Sequence, residues 1–350
     1  MPARCRPRSP RKLLLAMAIL AAAGCGRGST PESPRVVVYT ALDREFSRPV
    51  LEAYREKSGM DVAAKYDVES TKTVGLTQEI IAESQGGRPR CDLFWNNEIL
   101  QTLRLKQKGL LAPFRPANGA DIPATFKAKD GSWYGFAARA RILLVNTKLV
   151  PAADRPRGLH DLTAPRWKGK VGMAKPLFGT TATHAACLFV AWGDAKAKAF
   201  FAALKANEAL ILSGNKGVAQ AVGAGQLAFG LTDTDDAMEE VTAGNPVAII
   251  YPDRGPEELG TLFIPNTLAI LKGAPHAAAA EALADHLLSP EVEAALANGP
   301  SAQIPLNRRT AAPARVETPR TVHAMPADFE AAAARWDGIA AYLAEEFAGR

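Results

Sequence analysis

Short apolar runs alternating with amphipathic helical patterns constrain this chain most, because strands separated by roughly 10–15 helical residues pair in parallel with helices covering the sheet. The run Val36-Val37-Val38-Tyr39 reads as a buried strand, followed by a helix over 45–57 that Ser58-Gly59 stops. A strand over 60–66, a helix over 71–83, a strand over 91–95 and a helix over 98–108, ended by Gly109, continue the alternation. The segment Tyr134–Asn146 (YGFAARARILLVN) is longer and uninterrupted, and reads as a strand crossing from one lobe to another. Beyond it come a strand over 170–174, helices over 181–192 and 195–207, a strand over 209–212, a helix over 216–222 and a strand over 226–231. A β pair over 247–252 and 260–271 follows, its second member long enough to return to the first lobe. Helices over 277–296 and 327–347 close the chain. The expected architecture is α/β with two lobes, each a mainly parallel sheet flanked by helices, hinged on crossover strands. Lobe 1 takes 36–137 plus 262–310, lobe 2 takes 138–261, and 311–350 is a helical extension packed on the lobes. In such folds ligands lie at the carboxyl ends of strands, where loops from both lobes converge.

The leader has its own order. Arg4, Arg6, Arg8, Arg11 and Lys12 precede any acidic residue, and the apolar stretch 13–23 leads into Ala22-Ala23-Gly24-Cys25. That stretch is shorter than the roughly 20 residues a spanning helix needs and fits the apolar core of a secretory signal. Residues 1–24 are therefore expected to be a signal peptide of lipoprotein type, with Cys25 as the lipid anchor. The Gly-, Ser- and Pro-rich stretch 25–35 reads as a flexible tether. Setting aside the five leader cations takes the net charge from +6 to +1, which gives no electrostatic case for nucleic acid. Cys91 and Cys187 sit in apolar runs with no metal-binding spacing and read as buried thiols.

Six segments carry a family resemblance: Tyr39-Thr40, Asp92-Leu93-Phe94-Trp95-Asn96-Asn97-Glu98, Lys108-Gly109-Leu110-Leu111-Ala112-Pro113, Arg139-Ala140-Arg141 before Ile142-Leu143-Leu144-Val145-Asn146, Pro165-Arg166-Trp167-Lys168-Gly169-Lys170-Val171-Gly172, and Pro265-Asn266-Thr267. In this order they resemble the ferric-ion-binding branch of ABC-importer solute-binding proteins, over 36–307. The resemblance implies a type II-like periplasmic-binding-protein fold, ligand capture by lobe closure, and delivery to permease subunits driven by a separate ATPase. No phosphate-binding G-x-x-x-x-G-K-[ST] loop is present.

In the ferric-binding relatives a His follows the first strand, a Glu the third, and two adjacent tyrosines a strand of the second lobe. The matching positions here hold Asp43, Asn97 beside Glu98, and Asp235-Asp236, so the resemblance carries over without the tyrosinates. Asp233, Asp235 and Asp236 form a carboxylate cluster, with Asp43 and Glu98 as candidates to face it. Carboxylates suit hard metals and equally suit an ammonium group or hydroxyls; the competing reading is that TDTDD caps a helix. The family's anion-binding turn is matched by Gly179-Thr180-Thr181 and Asn215, with Ser70-Thr71 opening a helix on the first lobe; a helix start attracts anions through free N–H groups. Arg139 and Arg141 share one side of the crossover strand, either as anion-gripping forks or as solvated or inter-lobe ion pairs. Tyr39 and Trp95 are either stacking surfaces or core.

The expected function is capture of a small polar or anionic solute, phosphorylated or phosphonate-bearing, by a monomer lipid-anchored on the extracytoplasmic face. The alternatives are a ferric–anion complex held by carboxylates (Asp43, Glu98, Asp235, Asp236) and, in another class, a sensing module for a separate receptor. No cofactor is expected, Fe3+ or another hard metal entering only as ligand. No G-x-S-x-G or H-E-x-x-H motif points to catalysis.

Overall fold

The computed structural model describes residues 1–3, 34–67 and 73–348. Residues 4–24 of the leader, Cys25, Ser70 and Thr71 fall outside them. Ser33–Arg350 forms one compact unit.

Strands β1 (Arg35–Thr40), β2 (Asp61–Tyr66) and β3 (Leu93–Asn96) pair in parallel in the order β2-β1-β3, linked by helices α1 (Arg44–Ser58) and α2 (Val74–Gln85). Helix α1 buries Phe46, Leu51 and Tyr54 and ends on Gly59, whose φ of 69° admits the left-handed turn that closes a helix. After α3 (Leu100–Gln107) and the short β4 (Leu111–Ala112) comes β5 (Tyr134–Asn146), buried at every position. Its first half pairs with β10 (Phe263–Leu271), which runs antiparallel beside β3; its second half, from Arg141, pairs with β8 (Phe229–Asp233). Beyond β8 lie β6 (Val171–Ala174) and β7 (Leu210–Leu212), both parallel to it or to each other. β5 therefore belongs to both half-sheets and β10 returns the chain to the first, as the length of the two runs predicts. At their crossing, Ala137 has a φ of 44° and the β5–β10 register shifts at Pro265, which cannot donate to a ladder.

Helices α4 (Gly179–Ala206), α5 (Asn215–Gly223) and α6 (Thr234–Thr242) cover the second half-sheet; α4 breaks at Gly193, φ 76°, where the sequence predicts two helices. Two expectations need correction. The strand β9 (Val247–Ile250) pairs with β5 rather than with β10. The single helix expected over 277–296 is two, α7 (Ala277–Leu287) and α8 (Pro290–Asn298), divided where Ser289 accepts the Val292 N–H ahead of Pro290.

The last helix, α9 (Phe329–Glu346), packs on α3 of the first half and α4 of the second. Arg104–Asp337 at 2.6 Å ties it to one side, and Arg335 reaches Phe189 O at 3.1 Å on the other. Its Trp336, Ile339 and Leu343 join Leu103 and Phe201 in a core shared by both halves. Among the described residues no helix is long and apolar enough to cross a membrane. Cys91 and Cys187 are buried and free, their thiols pushed up by burial.

Candidate ligand-binding cleft

β8 ends at Asp233, and α6 begins at the next residue, so the TDTDD run falls on a strand-to-helix junction. Asp233 is the N-cap residue of α6, yet its carboxylate does not cap that helix. It turns to Arg141 Nη1 at 2.7 Å, Thr180 Oγ1 at 2.5 Å and Asn215 Nδ2 at 3.0 Å. Arg141 is fully buried and also donates to Thr181 Oγ1 at 3.1 Å. Arg141 makes an ion pair, but a buried one within the second lobe rather than between lobes, since β5–β8 pairing sets Arg141 opposite Asp233. Beside it His184 is held well below its usual pKa, by burial first and then by the Arg141 charge.

Asp235 and Asp236 occupy the first turn of α6, where the positive end of the helix dipole favours carboxylates. Donor oxygens of Asp233, Asp235 and Asp236 lie within 4.8 Å of one another. Arg139, two residues before Arg141 on β5, is 1% exposed and donates through Nε to Asp235 Oδ2 at 2.9 Å. Its other donors reach the Asn97 carbonyl and Asn266 Oδ1, the latter at 3.1 Å. Asn97, on the loop after β3, is buried and leaves Oδ1 without a partner.

These groups line one cleft with Leu42, Asp43, Ala174, Phe178, Gly179, Thr180, Ser213, Gly214 and Asn215. Four of its lining residues, Asp43, Phe178, Gly214 and Asp233, are the N-cap residues of α1, α4, α5 and α6, and none caps its helix with a side chain. The first-turn N–H groups of helices are orphans of the helical ladder and attract anions. Gly179 takes a φ of 56° at the start of α4, a conformation other L-residues adopt only with strain. The cavity is narrow, about 20 Å³ at the scale of a water molecule, close to the least volume that holds one. At its rim Lys216 of α5 pairs with Glu45 of α1 at 2.5 Å and with Glu239 at 3.0 Å. Burial opposes the Lys216 charge, but these two carboxylates outweigh it and hold the ammonium above its ordinary pKa.

Of the residues the sequence offers, Asp43, Asn97, Arg139, Gly179, Thr180, Asn215, Asp233, Asp235 and Asp236 meet in this cleft. Glu98 does not line it. Its buried carboxylate accepts from Leu100 N, Gln101 N at 2.9 Å, Asn96 Nδ2 at 2.8 Å and Thr183 Oγ1 at 2.6 Å, so it starts α3 and ties it to α4. Burial raises its pKa against those bonds. Thr181 and Arg141 stand behind the lining. Tyr39 points elsewhere and donates to Glu83 at 2.7 Å; burial, then that carboxylate, pushes its hydroxyl up. Thr40 accepts from Leu42 N at 3.2 Å and shapes the turn leading to Asp43. Trp95 is core, against Phe136. Sequence reasoning misses Leu42, Ala174, Phe178, Ser213 and Gly214; the last two precede Asn215 directly and were legible as the start of its helix.

Residues 91–331 match the model of a family described as bacterial extracellular solute-binding protein. The chain is 25% identical to iron uptake protein A2 of Synechocystis sp. over 296 residues, 81% of this chain and 82% of that one. Iron-bound HitA from Pseudomonas aeruginosa superposes with a TM-score of 0.79 at 22% identity, covering 88% of this chain and 99% of that one. AfuA from Actinobacillus pleuropneumoniae, with bound fructose-6-phosphate, superposes with a TM-score of 0.78 at 22% identity, covering 90% and 99%.

Proposed function

This chain belongs to the bacterial extracellular solute-binding proteins, and from that premise we infer that it captures a phosphorylated or phosphonate-bearing solute between its lobes. Proteins of this family bind small ligands or ions and work with ABC permeases. The observation that carries the reading is the convergence of four helix starts on one cleft, none closed by its own N-cap side chain. The ends of α4 and α5 form the anion seat, while Asp43, Asp235 and Asp236 take hydroxyls or an ammonium on the remainder of the ligand. AfuA, of the same fold, holds a sugar phosphate. Thr180 and Asn215 serve this seat indirectly, by fixing Asp233 between the two helix ends. The chain binds without converting its ligand, and Cys25 anchors it to the membrane.

Ligand entry requires the lobes to part, because the cavity between them is too narrow for an organic molecule to thread. β5 and β10 are the connections about which they pivot, and a bridging ligand shifts the population towards closure. A second reading, a ferric ion on carboxylates, is favoured by the proximity of the Asp233, Asp235 and Asp236 oxygens and by the iron-binding relatives. No tyrosine lines the cleft among the described residues.

Thermal unfolding of the purified protein against fructose 6-phosphate, 2-aminoethylphosphonate and ferric citrate separates the readings. A ligand at about 100 times its Kd adds roughly 2.7 kcal/mol of stability. Stabilisation by a phosphate or phosphonate compound and not by citrate alone is expected. A shift produced by ferric citrate alone would defeat the reading.

A further inference from the structure

The carboxylate cluster already contains a cation. Arg139 lines the cleft, yet it is 1% exposed and reaches Asp235 Oδ2 at 2.9 Å. Burial works against its charge, but the fields of Asp235, Asp233, Asp236 and Asp43, in that order, more than compensate. All four acidic residues of the cleft therefore act on one guanidinium. It is held in place from both halves. The Asn97 carbonyl belongs to the loop after β3, and Asn266 to β10, where its own amide is fixed by Ala137 O and by Gln303 Oε1 at 2.9 Å. A side chain with three such partners does not swing aside for an incoming ion without leaving buried acceptors unpaired.

We propose that Arg139 is a specificity-determining residue: its guanidinium stands in the cation position of the Asp233–Asp235–Asp236 cluster and excludes ferric and other hard metal ions. The cleft's ligand is then metal-free and organic. This rests on the reading of this cleft as the ligand site. Arginine keeps its charge at any physiological pH and its planar fork fits carboxylates, so it is a permanent occupant where lysine would be a mobile one. A trivalent ion placed beside it meets like-charge repulsion in a poorly screened setting. The fold thus retains the carboxylates that could serve a metal and commits two of them to internal partners, Asp235 to Arg139 and Asp233 to Arg141.

The test is iron uptake by purified wild type and by Arg139→Gln, measured by equilibrium dialysis against ferric nitrilotriacetate with metal analysis. Wild type is expected to retain essentially none. Arg139→Gln is expected to bind one-to-one, at least about a hundredfold more tightly, and to lose the iron again when Asp235→Asn is added. Arg139→Lys, which keeps the charge without the fixed fork, should bind iron more weakly than Arg139→Gln. Iron held by wild type as tightly as by Arg139→Gln overturns the proposal, as does a variant folded by circular dichroism that takes up none. Should Gln at 139 prevent folding, Arg139→Met replaces it, and one-to-one iron binding by wild type overturns the proposal whatever the variants do; only if neither variant folds does refusal of iron by wild type, together with a thermal shift by fructose 6-phosphate, uphold it. If phosphate and phosphonate compounds fail to shift wild type while the iron pattern holds, the organic-phosphate reading falls and the role of Arg139 stands.

Discussion

Single residues carry most of the chemistry here through what they hold rather than what they expose. Asp233 is the partner of a fully buried arginine, and removing one member of such a pair leaves an uncompensated charge. Asp233→Ala is expected to cost about 3–5 kcal/mol in urea unfolding, with Asp233→Asn intermediate. Asp253, between β9 and β10, gives a pH signature. Burial raises its carboxyl to about 6 from 3.8. A carboxyl raised in the folded state binds its proton more readily there than in the unfolded chain. Its contribution is therefore favourable below pH 3.8, declines as pH rises through about 6, and is a constant penalty above. Asp253→Asn should raise the melting temperature at pH 7.5 and lose that advantage by pH 4, with partial exposure moderating the size; a pH-independent gain would contradict the assignment. The residue types at these positions were legible in the sequence. Their partners were not, because Arg141 and Asp233 are 92 residues apart and meet only through β5–β8 pairing.

At the scale of elements, the strand–helix alternation was readable because burial imposes a period on each segment. What periodicity does not report is where helix starts point. Four of them aim at the cleft because α1, α4, α5 and α6 begin near the carboxyl ends of β1, β6, β7 and β8. Gly179→Ala tests this directly. A residue with a side chain at a φ of 56° is strained by roughly 1–2 kcal/mol, so the variant should lose about that much stability and bind ligand more weakly. Unchanged affinity would remove the α4 terminus from the site. Glu98 shows the opposite error: adjacency to Asn97 suggests a ligand position, but the turn directs its carboxylate into α3 and α4, beneath the lining.

The two halves meet at the β5–β10 crossing, at the Glu98–Thr183 bond beneath the cleft lining, at the Lys216–Glu45 pair and through α9. Exposed pairs of this kind are worth about 0.2–1 kcal/mol. Lys216→Ala should therefore weaken ligand binding by up to about fivefold and enlarge the radius of gyration of the ligand-free protein in X-ray scattering. Deleting α9 removes Trp336, Ile339 and Leu343 from the shared core. At about 1.5–3 kcal/mol each, this rivals the stability of a whole domain, so a chain ending at 328 is expected to be insoluble or to unfold without cooperativity. The α/β class, the two-lobed plan and the acidic character of the site were readable along the chain, since each follows from local pattern or from adjacent residues. Which carboxylates face the cleft, which cations neutralise them, and the core common to both lobes emerged with folding alone. Those outcomes depend on contacts between segments far apart in the chain, and the energy of a buried charge is set by neighbours that no local pattern encodes.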